Sequence, residues 1–369
     1  MSTNEPRDAT RGGVNRPASP GERGRESPLW ATREPVRVAC VGLGWWSDVL
    51  AAAIARSGRL RIVACHSRTA AKRDAFAARY HCRAAARYDD VLRDPEVEAI
   101  INTTPNAAHL ATTAAAATAG KHVFLDKPIA NTLDDAQVIT QCCAAAGVVL
   151  AVGYQRRREG QFRWMRRQIE AGALGRLVNA EANISRDRLG QIDLSSWRYT
   201  AEGMPGGVML QIGIHYTDVL AYLLGPIRAV NAQLAQLVLP GDNPDVASLI
   251  LEHYSGALAT LNASYASAAE HYVMNIYGKE ATAYYDLQQG LRWHRRGQPR
   301  AEPVNHDSVD ALVDELDEFA GAVRGLCTPE VDGEQATASL AVILAGLISA
   351  REKRRVEIAE IWSPLAERG

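Results

Sequence analysis

Val41-Gly42-Leu43-Gly44-Trp45-Trp46-Ser47 joins an apolar run, Arg37 to Val41, to a helical pattern, Asp48 to Arg56. Glycines at such a turn let backbone N–H groups approach a pyrophosphate held at the helix N-terminus. The G-x-G-x-x-G pattern is informative only between a strand and a helix, and that is its context here. Ser47 stands in for the third glycine and is small enough to keep the helix close to the strand. The stretch reads as a dinucleotide-binding turn, with Gly42, Gly44, Trp45 and Trp46 nearest the cofactor.

The next strand, Arg61 to His66, ends where an acidic residue is expected to hold the ribose 2′-OH of NAD. Cys65-His66-Ser67-Arg68 stands there instead. A hydroxyl followed by a guanidinium suits a 2′-phosphate, because arginine can pair with phosphate through two parallel hydrogen bonds. Ser67 and Arg68 therefore favour NADP over NAD. The alternative is that Arg68 merely precedes the helix Ala70 to Tyr80 and faces water.

Strand and helix continue to alternate. Val97 to Asn102 ends in Thr103-Thr104-Pro105-Asn106-Ala107-Ala108-His109, with Asn106 placed to cap the alanine-rich helix that runs to Ala119. His122 to Leu125 then delivers Asp126, Lys127 and Pro128 at its C-terminal end. A helix follows from Thr132 to Ala146, and Val148 to Val152 is the last strand. This rhythm predicts an α/β fold whose first part, residues 35–153, is a doubly wound parallel sheet with helices on both faces. In such sheets ligands bind beyond the carboxyl ends of the strands, where Lys127 lies. An isolated Asp-Lys-Pro is ordinarily a solvated loop, and a lone His109 is ordinarily a surface or core histidine.

From Gly153 the pattern changes, and residues 154–369 read as a second, α/β part for substrate binding and oligomerisation. An amphipathic helix, Phe162 to Ala171, leads to the strand-like run Leu177 to Ile184. Gln211, His215 and Asp218 then follow at one-turn spacing and can share a helix face. A satisfied core histidine beside Asp218 is the competing reading. Arg228 to His294 reads as consecutive strands, hence a mostly antiparallel sheet. Helices at Val309 to Arg324 and Gln335 to Arg351 close the chain.

With 369 residues, two domains are expected. Lys+Arg (41) and Asp+Glu (42) nearly cancel, so no general electrostatic case exists for nucleic acid or an anionic membrane. The apolar run Ala336 to Ala350 is short for a membrane span and reads as a core helix. The six cysteines show neither metal-ligand spacing nor a disulfide framework, which suits a reducing, cytoplasmic setting. Residues 1–34 have too few large apolar side chains to offset ordering entropy and read as a disordered tail without a secretory signal.

Taken together, these motifs resemble the Gfo/Idh/MocA family of NAD(P)-dependent oxidoreductases (glucose-fructose oxidoreductase, inositol dehydrogenase and rhizopine catabolism proteins). The likeness runs from about Val36 to Ile358. It rests on Gly42 and Gly44, on Thr104-Pro105-Asn106 with His109, on Gly120-Lys121-His122-Val123, and on Asp126-Lys127-Pro128 in place of the family's Glu-Lys-Pro. Gly153 through Arg157, Trp197-Arg198, Gly206-Gly207 and Gln211 to Asp218 add to it.

The resemblance implies a Rossmann domain followed by a domain with an open, mostly antiparallel sheet, which in the family often forms a homodimer or homotetramer interface. It implies hydride transfer at a carbinol of a sugar, cyclitol or related ring, with Lys127 and His215 lining the site. Thr104, Pro105, Asn106, His109, Asp126 and Lys127 are implied near the cofactor. Tyr154, Arg157, Trp197, Arg198, Gln211 and His215 are implied near the substrate. Gln211 departs from the aspartate common one turn before the histidine, which leaves open whether Lys127 or His215 takes the proton. Two other activities fit the same motifs: glycoside hydrolysis through transient oxidation, and cofactor sensing by a regulator without turnover.

Overall fold

The computed structural model describes residues 34–190, 193 and 195–363. The expected tail, residues 1–34, lies outside these apart from its last residue. The first region comprises β1 (Val36–Val41), α1 (Trp45–Ser57), β2 (Leu60–His66), α2 (Ala70–Tyr80), β3 (Arg83–Ala85) and α3 (Tyr88–Leu92). It continues with β4 (Ala99–Asn102), α4 (His109–Thr118), β5 (His122–Asp126), α5 (Leu133–Ala145) and β6 (Leu150–Gly153). Among the described residues these strands form a six-stranded sheet in the order β3-β2-β1-β4-β5-β6. Every pair in it is parallel. Such a sheet is covered on both faces, and β4 and β6 are accordingly buried at every residue.

β1 lies between β2 and β4, so the direction of winding reverses there and a crevice opens above its C-terminal end. Thr103 makes two contacts with the β1 end of that crevice. Thr103 N–H donates to Val41 O at 2.8 Å, and the Thr103 hydroxyl donates to Gly42 O at 2.6 Å.

Short β3 and α3 were not anticipated, because three residues carry no readable alternation. Asn106 does not cap α4. It opens a 3₁₀ turn, Asn106–Ala108, ahead of the helix, and its amide donates to Asn131 Oδ1 at 2.9 Å.

The second region begins with the 3₁₀ turn Gln155–Arg158, then α6 (Gly160–Glu170), β7 (Leu177–Asp187) and α7 (Ile214–Leu224). β8 (Ile227–Ala235), β9 (Val246–His253), β10 (Leu258–Ser264), β11 (Ala266–Gly278), β12 (Ala281–Asp286), β13 (Gly290–Arg295) and β14 (Glu302–Pro303) follow. α8 (Ala311–Val323), α9 (Gly333–Glu352) and β15 (Val356–Glu357) complete it. The nine described strands are ordered β14-β13-β12-β11-β7-β10-β9-β8-β15. All pairs are antiparallel except β7 with β10. The exception follows from connectivity: α7 separates β7 from the later strands, and a crossover returns the chain in the same direction.

The closing helices tie the two sheets together. α9 packs on β8 on one side and on α5 on the other, which explains an apolar helix of 20 residues in a folded interior. α8 returns to the first sheet and lies against α1. Arg56 pairs with Asp310 at 2.8 Å, Arg324 with Glu98 at 2.8 Å, and the Phe319 ring meets Phe124 edge-on at 5.7 Å. Phe319 is fully buried, so Phe319→Ala should destabilise the protein by about 3–5 kcal/mol. Urea denaturation measures this; a loss below about 1 kcal/mol would show that α8 does not help hold the first sheet.

Candidate active site

Local conformation at the glycine turn leaves no choice of residue. Gly42 has φ +88°, and a Cβ there would lie 2.5 Å from Thr104 N. Gly44 differs: nothing lies within 4 Å of where its Cβ would be. It precedes α1 without a side-chain cap, so no capping side chain meets the first-turn N–H groups. An open, uncapped helix N-terminus at the switch point of a parallel sheet fits the pyrophosphate of a dinucleotide.

β5 ends at Asp126, and Asp126 and the following Lys127 line a cavity of about 340 Å3. Trp45 and Trp46 from the start of α1 also line it, together with residues of the second region. Lys127 Nζ donates to the main-chain oxygen of Gln211 at 2.9 Å. Gln211 sits in a π turn, Met209–Gly213, that runs into α7. His215, in the first turn of α7, lines the same cavity.

Electrostatics sort these groups. Burial pushes the Lys127 amine down to about 8; Asp126 opposes the change, and Arg186, Arg198 and Arg156 add to it. Burial raises the Asp126 carboxyl to about 6 against the pull of Lys127, Arg198 and a hydrogen bond from Trp46. His215 is only 6 % exposed, and its Nδ1 has no partner. Burial, reinforced by Lys127, Arg156 and Arg186, holds the imidazole well below its usual range, so it is neutral at pH 7.

Not every residue named from sequence reaches the cavity. Asp218 does not pair with His215. Three residues on a helix leave it rotated by about 60°, enough to turn it inward. There Arg157 Nε donates to its Oδ2 at 2.9 Å and the Ser339 hydroxyl approaches at 3.4 Å. Arg157 is thereby removed from the substrate rim and borders a separate, more apolar cavity of about 480 Å3 with Tyr222 and Trp362. Tyr154 is 1 % exposed and belongs to the core. Trp197 stays out of the wall and instead carries the Arg198 guanidinium 4.6 Å above its ring.

Around β4 the side chains are spent within the turn. The buried His109 ring lies between Thr104 O, 2.9 Å from Nε2, and Pro128 O, 3.0 Å from Nδ1. It thus braces the β4 and β5 loops against each other. Thr104 Oγ1 donates to Asn102 Oδ1 at 2.8 Å, and Pro105 leads into the 3₁₀ turn. At the end of β2, Arg73 Nη1 donates to Ser67 O at 2.7 Å and holds the turn that presents the exposed Arg68.

Gln155, Arg156, Arg186, Arg188, Tyr199 and Ile212 line the cavity and were missed from sequence. Arg186 and Arg188 are two apart at the end of β7 and so share a face, a signal that period-two inspection could have found. Gln155 and Arg156 were hidden because the 3₁₀ turn after β6 exchanges which residues of that motif face inward.

Residues 36–154 match an oxidoreductase family with an NAD-binding Rossmann fold, and residues 162–284 match the Gfo/Idh/MocA C-terminal domain. The chain is 28% identical over 278 residues to 1,5-anhydro-D-fructose reductase of Ensifer adhaerens, covering 73% of this chain and 82% of that protein. It is also 28% identical over 284 residues to the NAD(+)-dependent scyllo-inositol 2-dehydrogenase of Bacillus subtilis (73% and 80%). Among solved structures, an NADPH-dependent oxidoreductase from Desulfitobacterium hafniense superposes with a TM-score of 0.86 at 34% identity, covering 89% of this chain and 99% of that one.

The contrast between the two glycines is testable. Gly42→Ala should cost about 2 kcal/mol or more, because the left-handed backbone and the Thr103–Thr104 contact both resist a side chain. Gly44→Ala should leave stability within about 0.5 kcal/mol and instead weaken dinucleotide binding. Thermal melts and cofactor titration separate the two; equal destabilisation would defeat the assignment.

Proposed function

The chain belongs to the Gfo/Idh/MocA family of NAD(P)-binding oxidoreductases, and on that premise we propose that it transfers hydride reversibly at a carbinol of a sugar, cyclitol or related polyol. One observation carries the reading. A lysine amine held near neutrality and a neutral histidine face one cavity beside the dinucleotide turn. The nicotinamide, when bound, accepts or gives the hydride.

Lys127 supplies the acid–base group. In oxidation its neutral amine accepts the carbinol proton as the carbonyl forms, and in reduction the ammonium returns it. The Gln211 carbonyl fixes Nζ at 2.9 Å, so the amine keeps one orientation in both charge states. His215, already neutral, hydrogen-bonds the same oxygen. With glutamine at 211 and with Asp218 turned away to Arg157, it lacks the carboxylate that would stabilise an imidazolium.

These assignments set the sign of the pH dependence. Oxidation needs the deprotonated amine, so kcat/KM should fall about tenfold per unit below about pH 8 and level off above it. Reduction needs the ammonium and runs the other way. A base with the depressed affinity of His215 would instead give oxidation that is flat from pH 6.5 upward. Lys127→Ala should lower kcat about 10²–10⁴-fold with little change in cofactor affinity. His215→Asn should cost less. If the wild-type profile is flat from pH 6.5 upward, and activity survives Lys127→Ala but is lost in His215→Asn, histidine is the base.

We further read the cofactor as NADP. The turn after β2 offers Ser67 and Arg68 and no carboxylate to hold a ribose diol. Charge-assisted hydrogen bonds contribute about 1.5–3 kcal/mol, so Arg68→Ala should weaken NADP binding about tenfold or more and barely affect NAD. Equal effects on the two, measured by titration, would overturn the preference.

A further inference from the structure

Resting on the same active site, we propose that the substrate carries an oxyanion, a carboxylate or a phosphate ester, on its polyol frame and that Arg186 and Arg198 recognise it. The cavity wall holds four arginines and Lys127 against two carboxylates, Asp126 and Asp193. Both carboxylates are already engaged. Asp126 is bonded by Trp46 and adjoins Lys127, and Asp193 accepts from the Ser195 backbone N–H at 3.0 Å. Among the described residues, positive side chains on this wall outnumber negative ones, and of the arginines Arg186 and Arg198 have no carboxylate within ion-pair distance, Glu270 acting on Arg186 only from further away.

Arg186 is the sharpest part of it. Its Nε is buried and has no acceptor, and among the described residues no ion pair involves its guanidinium. The Tyr272 ring, 5.5 Å from its centre, holds the guanidinium plane in place. Arg198 is braced in the same way on the Trp197 face and likewise has no ion pair among the described residues. Arg156 differs, since Glu159 pairs with it at 3.2 Å.

Two planar forks held by aromatic rings, with donors unspent, match the geometry that binds a carboxylate or phosphate through parallel hydrogen bonds. A neutral polyol can accept from the buried Nε but leaves the charge of the cluster unbalanced, which is costly in a desolvated site. The arginines also lower the proton affinity of Lys127. That effect needs only charge, whereas anion recognition needs the fork, so Arg186→Lys and Arg186→Gln distinguish the two duties.

Calorimetric titration of the full chain, saturated with reduced cofactor so that the dinucleotide site is filled, compares matched pairs. D-gluconate is set against D-glucitol, D-glucuronate against D-glucose, and D-glucose 6-phosphate against D-glucose. At least one anion should bind about tenfold or more tightly than its neutral counterpart, and which pair shows the gap separates carboxylate from phosphate. Arg186→Gln should shrink that gap to about threefold or less, and Arg186→Lys should restore it only in part. Neutral partners binding as well as the anions, no anion binding, or a gap that survives Arg186→Gln would each overturn the proposal. Hydride transfer is followed separately through the absorbance of the reduced cofactor. Selective anion binding with no turnover on any pair would leave the anion site standing and remove the dehydrogenase reading. Turnover of neutral polyols without anion preference would do the reverse.

Discussion

The hydrogen bond from Lys127 Nζ to Gln211 O is where the two halves of the chemistry meet. One end grows from the last residues of a parallel strand, and the other from a π turn that enters α7. A lysine at a sheet edge would ordinarily swing in water, with an amine far too basic to accept a proton at neutral pH. Here the π turn caps the amine, the sheet's carboxyl edge supplies Asp126, and three arginines stand across the cavity. Desolvation and like charge then act in the same direction, and Asp126 alone opposes them.

For that bond to persist, the two sheets must be held in register, and buried ion pairs do this beneath the cavity. Arg158, almost fully buried, reaches Asp314 at 2.8 Å and also Glu318, both on α8. Arg163 on α6 reaches Glu330 at 2.5 Å; against burial, which raises it, Arg163, Arg158 and Arg157 hold that carboxyl down to about 2. Because α8 itself lies against α1, the network fixes the second region to the helix that follows the glycine turn. Breaking a buried pair leaves an uncompensated charge, so such a network resists sliding even where its net contribution to stability is small.

Much of this was legible in the residues. Strand–helix alternation, the glycine turn and the Asp126-Lys127-Pro128 end of β5 are local patterns, and local patterns determine the parallel sheet and where its ligand edge lies. Gly42 shows why the inference works: one backbone position tolerates only a residue without a side chain, and the sequence states that residue directly. His215 and Lys127, each named from a motif whose order along the chain is informative, line one cavity.

Tertiary structure alone decided which polar residues face the cavity. Tyr154 and Arg157 stand beside Gln155 and Arg156 in one motif, and a single 3₁₀ turn buries the first pair and presents the second. Asp218 looked like a partner for His215 along the helix and became the counter-ion of Arg157 across it. Arg186 gained its place from a strand in the far sheet, Asn106 gives its amide to Asn131 instead of capping α4, and β7 found a parallel neighbour in β10. In each case the outcome depends on contacts between residues far apart in sequence. Periodicity reports which face of an element a residue occupies, but not what the fold brings opposite that face.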